Sequence, residues 1–265
     1  FDLMELPPTM LFVAISGGIL AGIINTLAGS GSLVTLPILV FLGLPAHIAN
    51  GTNRVGILIQ SAVGVATFKK QGALDLQGTG WFLVPALIGA SIGALVATDI
   101  GEAATNLTIG ILMVVMFVLT LIEPKKWLRE VSERERGRPP AWLLLVFVLI
   151  GFHGGFLQAG VGVTLLVGLV LGAGFSLVEA NGVKMMIAFC FSGVALVLFG
   201  SKGMVHWPFG LLMAVGQALG AWIAARYLSS KPSAAIWVRR LLLVVILLGI
   251  GRFLILPTYE WITAS

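Results

Sequence analysis

The chain has 265 residues, of which 58% are hydrophobic and 10% charged, with a formal net charge of +5. A soluble domain of this length needs far more charge on its surface, so the composition points to an integral membrane protein with no part left for a soluble domain. The surplus Lys and Arg fall in a few loops, where membrane orientation accounts for them better than nucleic acid does. The single cysteine, Cys190, excludes an intrachain disulfide or a thiolate metal site.

A spanning helix takes ~20 apolar residues. Apolar segments run over 8–28, 33–43, 47–68, 80–98, 104–122, 141–158, 161–175, 178–200, 206–228 and 236–256. They predict an all-α polytopic helix bundle of about eight to ten membrane segments. The segments 33–43 and 161–175 are short for a span and read as re-entrant or broken helices. "NTLAGSGSLVTLP" (25–37) places a polar, glycine-rich break just ahead of the first of them. The charged loop "EPKKWLREVSERERGRPP" divides the chain into a first membrane repeat (1–122), a linker (123–140) expected to be cytoplasmic, and a second membrane repeat (141–265).

The two sides of the linker are alike. Sliding the sequence by 131 residues lays "AGSGS" (28–32) over "AGVGV" (159–163), and Ala49-Asn50-Gly51 over Ala180-Asn181-Gly182. Across 28–76 this shift gives eleven identities, against roughly four expected from so skewed a composition. Each half holds five segments, of which the first two either span separately or form a hairpin that returns to its own side. Either way the number of crossings is odd, so the repeats are expected to be inverted. The charges agree: Lys69, Lys70, Arg226, Lys231, Arg239 and Arg240 fall on the linker side, and Asp99 and Glu102 opposite. Lys202 is the misfit. Inverted repeats with glycine-interrupted segments at matching places point to a secondary transporter with a midplane site.

The expected site follows from those breaks. The amides of Gly29, Ser30, Gly31 and Ser32, and of Gly160 and Gly162, begin new helices and would face an anion near the bilayer centre. Close helix packing through small residues is the alternative. Arg54 and Lys184 lie inside apolar helices with no carboxylate at i±3 or i±4, and such cations mark functional sites unless they snorkel to headgroups. Asn50 and Asn181 would cap these helices or donate to the ligand, and Asn25 and Gln158 would line the same cavity. His153 is the candidate for proton coupling, and Glu179 would cap the next helix or pair with Lys184. His47 and His206 carry no expected role. The sequence has no HExxH or GxSxG motif, no Walker loop and no carboxylate pair within a membrane segment. No enzyme activity, cofactor or metal is therefore expected.

Residues 22–75, from "GIINTLAGSGS" through "ANGTNRVG" to "FKKQGALD", strongly resemble the first repeat of the TauE/SafE sulfite exporter family, also called the toluene sulfonate uptake permease family. The stretches "GGFLQAGVGV" and "VEANGVKM" are similar to its second repeat, and the resemblance runs from about residue 10 to 255. It implies a multi-pass carrier of a bacterial or archaeal inner membrane that moves, and often exports, small sulfur-containing anions such as sulfite or sulfoacetate. The expected partners are that anion and the lipid bilayer, with no nucleic acid, and homo-oligomerisation stays open. An anion channel and a non-transporting membrane subunit are the rival readings.

Overall fold

The computed structural model describes residues 7–72, 74, 76–121, 138–228 and 232–255. The described residues form helices and turns, with no strand. In chain order the helices are α1 (Pro8–Ala28), α2 (Ser32–Phe41), α3 (Ala46–Lys70), α4 (Gly80–Asp99), α5 (Glu102–Leu121), α6 (Ala141–Phe156), α7 (Val161–Val167), α8 (Leu177–Ser201), α9 (Trp207–Ile223) and α10 (Pro232–Ile250). The last turns of α7, α9 and α10 continue as π-helix over Gly168–Gly172, Ala224–Leu228 and Gly251–Ile255. Proline opens several of them, with Pro7, Pro45 and Pro140 immediately before α1, α3 and α6, where a missing N–H costs nothing. Apart from its last three residues, the linker 123–140 lies outside the described residues.

Among the described residues five helices are long and apolar enough to cross a membrane: α1, α4, α5, α8 and α9 with its π-helical end. Their outward faces carry exposed Ile88, Ile92, Ile111, Val118, Val197 and Leu219, as a bilayer solvent requires. At ten residues, α2 rises roughly 15 Å, half of a ~30 Å hydrocarbon core, so it cannot span. The sequence's apolar segment 47–68 proves to be polar on its inward side. Asn50, Thr52, Asn53, Arg54, Gln60 and Ser61 of α3 are all buried. Lys202, the misfit in the charge pattern, faces Asp99 at 3.7 Å with both side chains largely exposed.

The two halves fold alike and interlock. Six positive-φ glycines form three pairs 131 residues apart: Gly29 with Gly160 (72° and 75°), Gly43 with Gly174 (95° and 72°), and Gly72 with Gly203 (69° each). Helices α3 and α8 are each 25 residues long and begin 131 residues apart. More extensively than within its own half, α1 packs on α9, and α6 packs on α4. Both contacts use the same small-residue stripe. Gly18, Gly22, Gly216 and Gly220 line the first contact and Gly89, Gly93, Gly151 and Gly155 the second, and a Cβ on any of the eight would run into backbone of the facing helix. Lipid gives apolar side chains no drive to associate, so this close backbone approach supplies van der Waals contact instead. The arrangement is consistent with two inverted repeats, each donating its broken helix to the other.

Gly155→Ala would push a methyl group into the carbonyl of Ala90, and the rigid backbone there gives no relief. We expect a loss of about 1–3 kcal/mol in detergent unfolding. Gly80→Ala, which meets nothing within 4 Å, should stay within about 0.5 kcal/mol of the parent chain.

Candidate functional site

Two interruptions build the centre of the molecule. Helix α1 stops at Gly29, whose left-handed φ of 72° turns its N–H back onto the Asn25 carbonyl at 2.9 Å, an αL cap. The Asn25 side chain then accepts the N–H of Gly31 at 3.3 Å, which fixes the turn before α2 restarts at Ser32. In the second half, Leu157 and Gln158 both donate to the His153 carbonyl, at 3.0 and 3.1 Å. Gly22 lies seven residues before Gly29, but its packing counterpart Gly155 lies five before Gly160. With two residues fewer, Leu157–Gly160 leaves the helical path early, and Gln158 is held at a φ of +62°. It is the one non-glycine residue with positive φ among those described, a conformation that costs of order 1–3 kcal/mol and needs support from its surroundings.

The two turns touch. Gly29 lies on Gly162 so closely that a Cβ on either would overlap the other's backbone. Among the described residues, the amides of Ser30, Ser32, Gly160 and Gly162 have no acceptor. Two helix starts thus abut with N–H groups unspent.

Two buried cations flank them. Arg54, fully buried, extends from α3 to the end of α6. Its Nη1 donates to the Gly154 carbonyl and to Gln158 Oε1 at 2.7 Å. Its Nη2 donates to Gly155 O at 2.9 Å and Asn50 Oδ1 at 3.0 Å. Asn50 Nδ2 takes the next carbonyl, Phe156 O, at 2.8 Å. The guanidinium carbon also sits 5.3 Å from the Phe199 ring centroid, a cation–π contact. Lys184, on α8, does the reverse, with Nζ donating to Asn25 O and Thr26 O of α1 at 3.0 Å each and to Asn181 Oδ1 at 2.8 Å. Each cation therefore sits on the negative dipole end of the other half's broken helix. A hydrogen bond to a charged group contributes about 1.5–3 kcal/mol, which offsets part of the desolvation cost. Carbonyl dipoles do not cancel a full charge, and neither cation has a carboxylate partner among the described residues.

Most of the residues picked from sequence converge here. Asn50, Arg54 and Gln158 form one cluster and Asn25, Asn181 and Lys184 another, with the Gly29–Gly162 contact between them. Ser30 and Ser32 are buried, and the Ser30 hydroxyl donates weakly to Ala28 O at 3.4 Å. Gly31 packs against Ala21 and Asn25, and Gly160 against Met116 of α5. His153 is half-buried and its Nε2 has no partner.

Several expectations change. Snorkelling is overturned, since both cations point inward and are buried. Asn50 and Asn181 lie inside their helices and cap neither. Asn181 Nδ2 instead bonds Leu177 O one turn earlier, at 3.0 Å. Of its two expected roles Glu179 takes the first, a capping box with Ser176 at the start of α8, and does not pair with Lys184. His206, assigned no role, caps α9 by accepting the Phe209 N–H at 3.3 Å. Sequence reasoning missed Ser192, which accepts from Gln158 Nε2 at 2.8 Å, although its alignment with Ser61 was a signal. It also missed Thr35, whose hydroxyl donates to Asn53 Oδ1 at 2.6 Å. The carbonyls of Gly154 to Phe156 carry no signal in residue type.

Comparison with known proteins finds one family over nearly the whole chain. The family described as "Sulfite exporter TauE/SafE" matches residues 14–253. A "Probable membrane transporter protein ORF9" of Sinorhizobium sp is 30% identical over 250 residues, covering 94% of this chain and 93% of that one. A "Probable membrane transporter protein" of Haemophilus influenzae is 26% identical, covering 88% and 91%. The "Probable membrane transporter protein YfcA" of Escherichia coli (strain K12) is 27% identical, covering 87% and 85%. No solved structure matches.

Removing a cation strands the carbonyls it holds. Lys184→Met should lower detergent stability by about 1–3 kcal/mol. Lys202→Met, which breaks an exposed pair, should cost under about 1 kcal/mol; equal melting temperatures for the two variants would count against the cross-half tie.

Proposed function

Because the chain belongs to the TauE/SafE sulfite exporter family of membrane transporters, and is therefore a multi-pass transporter rather than an enzyme, we propose that it exports a small sulfur-containing oxyanion by alternating access. The observation that carries this reading is the pair of buried cations, Arg54 and Lys184, without carboxylates, beside two abutting helix starts with free N–H groups. Buried positive charge lacking a counter-ion favours an anion. A sulfite or sulfonate group offers three acceptor oxygens to those amides and cations.

The hydrogen bonds suggest how binding is coupled to movement. Arg54 and Lys184 each grip the opposite half, so separating the halves breaks several charge-assisted bonds. An anion between the turns gives the cations replacement acceptors, which lowers the cost of rocking one half against the other. The empty carrier stays latched. An inside-negative potential contributes ~2.3 kcal/mol per charge per 100 mV toward outward movement of an anion, sufficient for export without a coupling ion. We further place the linker 123–140 on the cytoplasmic side, in line with the basic residues Lys69, Lys70, Arg138, Arg226, Arg239 and Arg240 at that set of helix ends.

Purified protein should be stabilised against heat by sulfite and methanesulfonate more than by acetate or phosphate. Arg54→Gln should weaken that binding roughly 10- to 150-fold, the equivalent of one charge-assisted bond. An equal shift in the variant would remove Arg54 from the site. The unpartnered Nε2 of His153 supports a second reading, coupling to a proton. In proteoliposomes His153→Gln should then abolish the acceleration of flux by a pH gradient while leaving potential-driven flux in place.

A further inference from the structure

Three buried carboxamides lie outside the cluster described above. Asn53 and Gln60 sit on one face of α3, three residues before and four after Gly56. The Gln217 carboxamide of α9 lies against Gly56, occupying the space where a Cβ would stand. The order along the groove between α3 and α9 is thus Asn53, Gln217, Gln60. All three are buried, with relative exposures of 2%, 1% and 1%. Asn53 Nδ2, Gln217 Nε2 and Gln60 Oε1 have no hydrogen-bond partner. Each such atom costs about 1–3 kcal/mol, and packing alone gives no reason to retain three.

The other half shows that the fold does not need them. The 131-residue shift sets Lys184, Ile187 and Phe191 in place of Asn53, Gly56 and Gln60. The matching glycine stripes set Ala90 in place of Gln217, since Gly22 lies on Gln217 where Gly155 lies on Ala90. Ile187, Phe191 and Ala90 share one apolar cluster and are fully buried. At the places of Gly56, Gln60 and Gln217 the second half is apolar and closed, whereas the first is polar and unsatisfied.

We propose that Asn53, Gln60 and Gln217 form a second, uncharged oxyanion subsite on the route between the two turns and the Lys69–Lys70 end of α3. This rests on the transport reading above. Gln60 lies six residues beyond Arg54, roughly 9 Å along the helix axis toward that end. A carboxamide turned by half a revolution exchanges donor for acceptor, so all three can present N–H groups to the same oxyanion. Neutral donors hold such an ion weakly, which suits a station it must leave.

The single cysteine makes the test direct. In a Cys190→Ala background reconstituted in vesicles, Gln60→Cys is exposed to an anionic sulfonatoethyl or a cationic trimethylammonioethyl methanethiosulfonate. Each rate is normalised to that reagent's rate with free thiol. The anionic reagent should be preferred by at least about tenfold, methanesulfonate should slow it, and Phe191→Cys should stay unlabelled. An inert Gln60→Cys, or equal normalised rates, would overturn the subsite. Flux of labelled methanesulfonate through the Cys190→Ala protein separates the two claims. Flux with an inert Gln60→Cys removes the subsite and leaves transport standing. Anion-selective labelling without flux leaves the subsite and removes the transport reading. Independently, Gln217→Met, an apolar side chain of similar length, should cut flux about tenfold or more without lowering the melting temperature. Unchanged flux would overturn the proposal.

Discussion

A carbonyl in hydrocarbon has no water to fall back on, and everything at the centre of this molecule answers to that fact. Two helices stop partway through the bundle, leaving their last carbonyls where lipid and packed side chains offer no donor. The donors come from across the molecule, Arg54 and Asn50 for α6 and Lys184 for α1. A cation is an expensive donor to bury, and a negative helix end is one of few places that makes it tolerable. Break and charge thus require each other. Removing either would leave the other as a defect, which is why the broken helices and the buried cations occur together and why both halves have them.

The glycine stripes serve the same end at the periphery. By letting α1 meet α9 and α6 meet α4 backbone to backbone, they hand each broken helix to the opposite half. The cation of one half then reaches the helix end it must satisfy. Interfaces of this kind interlock few side chains, so the adhesion is broad and the teeth are shallow. That suits the rocking of one half against the other proposed above.

The sequence made the skeleton legible because membrane helices announce themselves by length and apolarity, and the breaks by glycine and hydroxyl residues where neither belongs. The 131-residue echo located both turns and both Asn positions. What stayed hidden were contacts made through backbone atoms. Nothing in the letters of Gly154 or Thr26 says that its carbonyl will hold a cation. The inward face of α3 was also obscured, because averaging along a helix dilutes Asn53, Gln60 and Ser61 among their apolar neighbours, buried Val55 and Ile57 included. The same averaging made 47–68 look apolar. Asn50 and Asn181 were misread as caps because the helices start a turn earlier than the polar cluster suggests, at Pro45 and Ser176.

The echo itself has a flaw. Between the packed glycine and the left-handed one, the second half is two residues shorter, and Gln158 takes up the slack. Two bodies related by symmetry could exchange roles and return the same molecule, so that facing in and facing out would be states of equal energy. With unlike linkers at the two pivots that degeneracy is lost. Under the alternating access proposed above, the gradient would still dictate which way cargo flows on balance, while the protein would rest on one preferred side.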